Sequence, residues 1–358
     1  WWEAAERPEA ELLAVMKHVR FAVMAASFLH GTIKAWPVLH SMDGQSILFN
    51  ALLPAVDGEK PVLRSGFGPR LVYVVGGQGD GGERFSKVEL FDPRNASWKQ
   101  LANMTGPRTL HGCVALGGKL YAVGGFGAVG QVLDTAEVYD PQTDGWQPLA
   151  KMTTARCEFW LAAVGGKFYA IGGWGGSSAL ESVEAYDPQL GSWALVASMS
   201  GKRRLHASVV LDGKIYTMGG LEANGADEAL DTVEVYDPQT DSWQQAASMS
   251  QGRYYHTAAV MGGKIYVTGG VSGHQGTAMN SVCVYDPQAD AWTQLASMGA
   301  ARDGHASAAV ASKLYVFGGH GVDNVHLNTA EVYDPASDSW VQGSSLAFAR
   351  DGLVAVAL

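Results

Sequence analysis

Residues 108–152 read RTLHGCVALGGKLYAVGG and then FGAVGQVLDTAEVYDPQTDGWQPLAKM. HGCVAL is a short, partly alternating run, and Gly117-Gly118-Lys119 turns the chain tightly after it. LYAVGG is a second strand of aromatic and branched residues. A loop follows, and TAEVYD is a third strand. Asp140-Pro141, with Asp144 and Gly145 behind it, reads as a turn, and the segment around Trp146 is a fourth strand. The unit then repeats. Gly-Gly recurs at Gly76-Gly77, Gly124-Gly125, Gly172-Gly173, Gly219-Gly220, Gly269-Gly270 and Gly318-Gly319. Trp98, Trp146, Trp193, Trp243, Trp292 and Trp340 keep the same beat, as do Asp-Pro pairs beginning at Asp92, Asp140, Asp187, Asp237, Asp286 and Asp334. Three markers in one phase establish an internal period of about 48 residues.

Four strands in about 48 residues match one blade of a β-propeller. No window in the repeats sustains a 3.6-residue apolar period, which excludes helical solenoids. If strands a, b, c and d cross the disc alternately, the d–a and b–c loops share one face and the a–b and c–d turns the other. The turns hardly vary: GGK or DGK, and DPxxxxW. The b–c loops do vary: Gln78–Arg84, Phe126–Val132, Trp174–Ala179, Leu221–Ala229, Val271–Ala278 and His320–His326. Variation confined to one face of a regular scaffold marks a binding surface. The first repeat begins at strand b, with RLVYVVGG at 70–77, and residues 350–358 repeat the start of a strand a and stop. The expected fold is therefore all-β: a six-bladed propeller over residues 67–358, closed by its C-terminal strand so that open sheet edges are removed, and preceded by a short helical segment.

The repeat resembles the Kelch repeat. Arg156 opens strand a, Tyr169 lies in KFYAIGG, Glu184 in SVEAYDP, and Trp193 follows the turn. Blade five departs from the pattern at Cys283, where the other copies carry Glu.

Residues 1–53 follow a different rule. LLAVMKHVRFAVM and SFLHGTIKAW have helical apolar spacing, with Leu12, Leu13, Met16, Val19 and Val23 on one broad face. The apolar stretch is too short and too interrupted by charge to cross a bilayer. LLAVMKHVRFAVMAASFLHGTI looks like the last helices of the BACK domain that precedes many Kelch rings, and residues 54–66 read as a linker. The chain opens on Trp1-Trp2 and not on Met. A fragment or a shortened isoform is expected, without the upstream BTB domain that the resemblance implies.

A formal net charge of −10 argues against nucleic acid and against an anionic membrane surface as partners. Cys113, Cys157 and Cys283 are widely spaced and form neither a CxxC pair nor a disulfide framework. With no visible signal peptide, a cytoplasmic location is expected, with nuclear presence compatible. No cofactor or metal is expected, and no spacing suggests a catalytic cluster. Copper radical oxidases share this kind of ring but need a tyrosine–cysteine crosslink and histidine ligands. Here Cys157 and Tyr254-Tyr255 lie in different blades and no HxH pair occurs.

The recurring His111, His206, His256 and His305 are expected to be structural, one per blade. The recurring Arg108, Arg156, Arg203, Arg253, Arg302 and Arg350 are expected to bridge loop carbonyls of adjacent blades, and the six tryptophans to lie in the core. Positions that break the repeat on the variable face are the candidate site. Directly after the arginines come Thr109-Leu110, Cys157-Glu158, Arg204-Leu205, Tyr254-Tyr255, Asp303-Gly304 and Asp351-Gly352. Directly after Gly-Gly come Gln78, Phe126, Trp174, Leu221, Val271 and His320. Aromatic residues and arginine are the types that anchor interfaces. The partner-binding candidates are Arg84, Phe126, Glu158, Trp174, Arg204, Tyr254, Tyr255 and His326. The resemblance implies that a substrate protein or peptide docks on the d–a/b–c loop face of a cullin-3 RING ubiquitin-ligase adaptor. Cullin-3 itself would be met only through the BTB domain. The alternative is an actin-binding or cytoskeletal Kelch scaffold without a ligase role.

Overall fold

The computed structural model describes residues 71–357, apart from 80–81, 94, 223–227, 274–275, 311 and 323–324. The expected helices of residues 1–53, the linker at 54–66 and residues 67–70 lie outside the described residues. Blade one contains β1 (Val72–Val75), β2 (Val88–Asp92) and β3 (Ser97–Gln100). Blade two is β4 (Gly112–Leu116), β5 (Lys119–Val123), β6 (Ala136–Asp140) and β7 (Gly145–Leu149). Blade three is β8 (Trp160–Val164), β9 (Lys167–Ile171), β10 (Val183–Asp187) and β11 (Ser192–Val196). Blade four is β12 (Ala207–Leu211), β13 (Lys214–Met218), β14 (Val233–Asp237) and β15 (Ser242–Ala246). Blade five is β16 (Thr257–Met261), β17 (Lys264–Thr268), β18 (Val282–Asp286) and β19 (Ala291–Leu295). Blade six is β20 (Ala306–Val310), β21 (Lys313–Phe317), β22 (Ala330–Asp334) and β23 (Ser339–Gln342). The last strand, β24 (Val354–Ala357), pairs antiparallel with β1, from Val72↔Ala357 to Val75↔Val354.

All six sheets have four strands in the order a-b-c-d, and all pairing within them is antiparallel. The fold expectation needs two corrections. No helix occurs among the described residues. No sheet is closed on itself by hydrogen bonds: β24 completes the sheet of blade one, and every sheet keeps two edges. A closed sheet needs strands that pair all the way round, whereas here neighbouring blades meet face to face. Side chains fill the space between them. Tyr121 and Val123 of blade two pack with Phe159, Leu161, Phe168 and Tyr186 of blade three in one cluster. The b strands are the most deeply buried, and the d strands alternate toward solvent.

The repeat markers work as an inter-blade latch. Tyr139 and Trp146 face each other across β6 and β7, with ring centroids 5.3 Å apart. The Trp146 indole N–H donates to the Ala102 carbonyl of the preceding blade (3.1 Å). Trp193, Trp243, Trp292 and Trp340 do the same to Ala150, Ala197, Ala247 and Ala296. The tyrosine hydroxyl donates to Asp144 (2.7 Å), which also accepts the Ala102 N–H (3.0 Å). The tryptophans are thus not simple core residues. Trp146 is buried, and the other five are half-buried on the outer strand. The seam between blades six and one departs from this scheme. Phe91 stands in place of the tyrosine, Ala96 in place of the aspartate, and Trp98 Nε1 has no hydrogen-bond partner among the described residues. An aromatic cluster of Phe91, Trp98, Tyr315 and Phe317 holds that seam instead.

The arginines also correct their expectation. Arg108 donates to Glu137 (2.9 Å) and to the Gly124 carbonyl (2.9 Å), both in its own blade. Only its main chain reaches the preceding blade, accepting from Gly77 N–H and donating to Phe85. The same pairs recur as Arg156–Glu184, Arg203–Glu234, Arg302–Glu331 and Arg350–Glu89. Arg253 reaches the Gly269 carbonyl and the Ser281 hydroxyl, and no carboxylate, because Cys283 occupies the acid's place.

The Gly-Gly pairs follow from the same crowding. Gly76 has φ +61°, and a Cβ there would sit 2.5 Å from the Arg108 carbonyl oxygen and 2.8 Å from His111 Cε1. Glycine admits both the left-handed backbone and that close approach.

Candidate interaction face

Each d–a loop runs from its arginine through three residues to the innermost strand. The second of these residues is left-handed in every blade: Leu110, Glu158, Leu205, Tyr255, Gly304 and Gly352 all have φ between 51° and 57°. For the four that are not glycine this backbone is strained, at a cost of order 1 kcal/mol each. What stabilises it is a closed ring of backbone hydrogen bonds. Leu110 N–H donates to Gly352, Gly352 to Gly304, Gly304 to Tyr255, Tyr255 to Leu205, Leu205 to Glu158, and Glu158 back to Leu110, all at 2.8–3.0 Å. The circle of blades is therefore joined by hydrogen bonds in its loops, not in its sheets.

The first residue after each arginine bridges to the start of the b–c loop of its own blade. The pairs include Thr109↔Phe126, Cys157↔Trp174, Arg204↔Leu221, Tyr254↔Val271, Asp303↔His320 and Gln78↔Asp351. The b–c loops are pinched at their far ends by Gln78↔Arg84, Phe126↔Val132, Trp174↔Ala179, Val271↔Ala278 and His320↔His326. These contacts bring the variable positions of the two loop types onto one face.

Below the ring of Leu110, Glu158, Leu205, Tyr255, Gly304 and Gly352 lies a central cavity of about 90 Å³. His111, His206, His256 and His305 line it, with Phe159 and Leu353 at the equivalent positions of the other two blades. Burial, reinforced by the adjacent arginines, lowers His111 and His206 to about 3 and His256 and His305 well below the usual range. These rings stay neutral at ordinary pH and pack against the Gly-Gly segments. His305 also bonds the Thr268 hydroxyl at 2.8 Å. Among the described residues, no group of three or more His, Cys, Asp or Glu is arranged to hold a metal ion.

All eight residues singled out from the sequence are half-buried, and they fall into two sectors. In the first, Arg84 donates to the Gly127 carbonyl (2.8 Å) and lies 5.8 Å from the centre of the Phe126 ring. Arg204 pairs with Glu158 at 2.8 Å and lies over Trp174 at 5.4 Å. In the second sector the rings of Tyr254 and Tyr255 are 5.6 Å apart. His326 Nε2 is 2.9 Å from Asp351 Oδ1 and its ring is 5.2 Å from that of His320.

Asp303, Asp351 and His320 complete this second sector and were not among the anchors chosen from the sequence. Their signal was available: Asp303 and Asp351 directly follow a repeat arginine, and His320 directly follows Gly-Gly. Burial pushes the Asp303 carboxyl up to about 6; Asp351 adds to this, while His320 and His326 oppose it. Burial raises Asp351 as well, against the pull of His326. A carboxyl whose folded pKa exceeds its unfolded value binds protons on folding. Its charge costs nothing below about pH 4, and the cost grows until about pH 6. Two units correspond to about 3 kcal/mol, and partial solvation of the face reduces this to about 1–2 kcal/mol. Asp303→Asn is therefore expected to raise stability at pH 7.5 and to change it little at pH 4.5. Urea unfolding of both chains at the two pH values measures this, and an equal effect at both would disprove the buried charge.

A ring of six four-stranded blades with a side-chain-rich mouth defines a propeller-type scaffold for protein–protein interaction. The chain matches the family described as KLHDC2/KLHL20/DRC7 Kelch-repeats domain over residues 50–220 and 223–347, and it belongs to that family. Membership supports a protein–protein interaction or scaffold role for the domain. No curated protein sequence matches the chain significantly. A solved structure described as "Structure of YjhT" is similar, with a TM-score of 0.67 and 16% identity, covering 76% of this chain and 94% of that one. At that identity the likeness concerns the fold alone. Among the described residues no helix is long and apolar enough to cross a membrane.

Proposed function

We propose that the d–a/b–c face captures a substrate protein or peptide, and that the chain is the substrate-recognition part of a cullin-3 RING ubiquitin-ligase adaptor. The observation that carries the reading is the hydrogen-bonded ring of six loop residues, which presents a different set of side chains from each blade around one opening. The aromatic groups Phe126, Trp174, Tyr254 and Tyr255 supply apolar area there, and Arg84, Glu158, Arg204 and His326 supply polarity. In this reading residues 1–53 are the last helices of a BACK-like domain, 54–66 a linker and 67–358 the capturing ring. Contact with cullin-3 falls to a BTB domain outside these residues.

Tyr255→Gly tests the face without straining it, because Gly304 and Gly352 hold the same left-handed position in other blades. Loss of an interface anchor costs at least about 2 kcal/mol, or roughly thirtyfold in affinity. Partners captured by proximity labelling with the parent chain are expected to be lost with Tyr255→Gly and Arg204→Ala; Tyr255→Gly is expected to melt close to the parent, and Arg204→Ala lower but cooperatively, because it leaves Glu158 without its guanidinium. Retention of every partner by both variants, with loss on changing the Gly117-Gly118 turn, would put binding on the opposite side. Recovery of cytoskeletal proteins alone would favour a scaffold over a ligase adaptor.

A further inference from the structure

Two arginines on the face look, from sequence, like readers of an acidic partner. Both are engaged within the chain. Arg84 is bonded to the Gly127 carbonyl beside Phe126, and Arg204 is paired with Glu158 over Trp174. Among the described residues, that pairing leaves two carboxylates of the face, Asp303 and Asp351, without an arginine partner. Burial is the main influence raising the Tyr255 phenol, and Glu158, Asp351 and Asp303 add to it against the guanidinium of Arg204. Glu158 is already neutralised by that guanidinium, and Asp351 is bonded to His326. Asp303 accepts no side-chain hydrogen bond among the described residues, although burial is the main influence on its carboxyl. The hydroxyls of Tyr254 and Tyr255 are likewise without hydrogen-bond partners among the described residues, and Gly304, directly after Asp303, donates its N–H to the Tyr255 carbonyl at 2.9 Å.

We propose that the mouth takes a lysine or arginine side chain of the partner, held by the Asp303 carboxylate and covered by the ring of Tyr255. The proposal rests on the reading that this face captures a partner, and it names the chemistry of what is captured. A guanidinium or ammonium group would supply the donor that Asp303 lacks, in a charge-assisted bond. The same cation would be attracted to the face of Tyr255. An acidic partner group in this place would meet Asp303 and Asp351 and be repelled. A net charge of −10 draws basic segments toward the molecule at long range.

The test is selection of a displayed random peptide library on the 358-residue chain, followed by titration of the enriched peptides as free synthetic molecules with acetylated amino ends. The enriched peptides are expected to share Lys or Arg at one position. Replacing that residue by norleucine is expected to weaken binding to the parent about tenfold or more, and to change binding to Asp303→Asn little. Asp303→Asn removes the charge while preserving shape, and it is expected to be at least as stable as the parent at neutral pH, so a loss of binding is not a loss of fold. Peptides that share Asp, Glu or a free terminal carboxylate, are lost on Arg204→Ala and are indifferent to Asp303→Asn would overturn the proposal and keep the capture face. Peptides indifferent to Asp303→Asn, Arg204→Ala and Tyr255→Gly alike, or a library that yields no enriched sequence, would overturn both.

Discussion

Deletion of residues 350–358 is expected to yield a chain without a stable ring. Those residues contribute at four levels at once. β24 supplies the whole pairing partner of β1 on its inner edge. The fully buried Arg350 donates to the Gly76 carbonyl and to Glu89, so its loss leaves a buried carboxylate without its guanidinium. Gly352 makes two of the six hydrogen bonds that join the loops into a circle. Leu353 is part of the core shared by blades six and one. The deletion falls at the seam where the tyrosine–aspartate and tryptophan latches are missing, which leaves the aromatic cluster of Phe91, Trp98, Tyr315 and Phe317 to hold the two blades. The exposed edge of β1 becomes a template for pairing with other chains. The expected loss is comparable with the whole stability of a domain, about 5–15 kcal/mol. Size-exclusion chromatography should show aggregates, and far-UV melting should show no cooperative transition. A truncated chain that melts within roughly 5 °C of the parent would show that blade one does not need its fourth strand.

Arg302→Ala is expected to cost about 3–5 kcal/mol, because it breaks a buried ion pair and strands one partner. Arg302 is fully buried, 2.7 Å from Glu331, and also serves the Gly318 and Thr329 carbonyls. Burial lowers its pKa and Glu331 raises it back, so the carboxylate is what keeps the buried cation acceptable. Arg253→Ala in blade five provides the comparison. There burial lowers the arginine with no carboxylate beside it, and removal strands no anion. Its cost should be smaller by about 1–3 kcal/mol. Urea unfolding of the two variants beside the parent measures the difference. Equal losses would mean that the arginines act through their carbonyl bonds alone and that the acids contribute nothing.

Both expectations draw on features that were unequally visible in the sequence. The period and the four strands per unit were legible because each is a local demand repeated six times, and the glycine pairs because their demand, though not local, recurs with the period. Gly76 is required by a carbonyl and an imidazole that lie about 30 residues further along, yet the requirement recurs in every blade and so shows as a pattern. The tryptophans were legible as structural residues but not as latches. Their indole donates to a carbonyl in the preceding blade, and a residue's period does not say which neighbour it touches. The arginines were assigned to bridges between blades for the same reason, whereas their side chains turn back to the acid on strand c of their own blade.

The candidate face was legible in part. Positions that break the repeat pointed to Arg84, Phe126, Glu158, Trp174, Arg204, Tyr254, Tyr255 and His326, because irregularity on a regular scaffold stands out. Their pairing did not show. Arg204 and Glu158 lie in different blades, and the ion pair between them cancels charges that each seemed to offer a partner. Asp303 and Asp351 stand among the positions that break the repeat, and it is their burial on this face that gives them weight.

By itself the sequence determined the repeat, the blade count and the set of positions free to vary, since these depend on local strand and turn chemistry copied six times. The tertiary structure decided how the circle is joined, where each arginine and tryptophan is satisfied, and which charges in the mouth remain uncompensated. Those outcomes depend on contacts between residues that are distant in sequence, where distance through space and loss of solvent set the energy of each charge and each hydrogen bond.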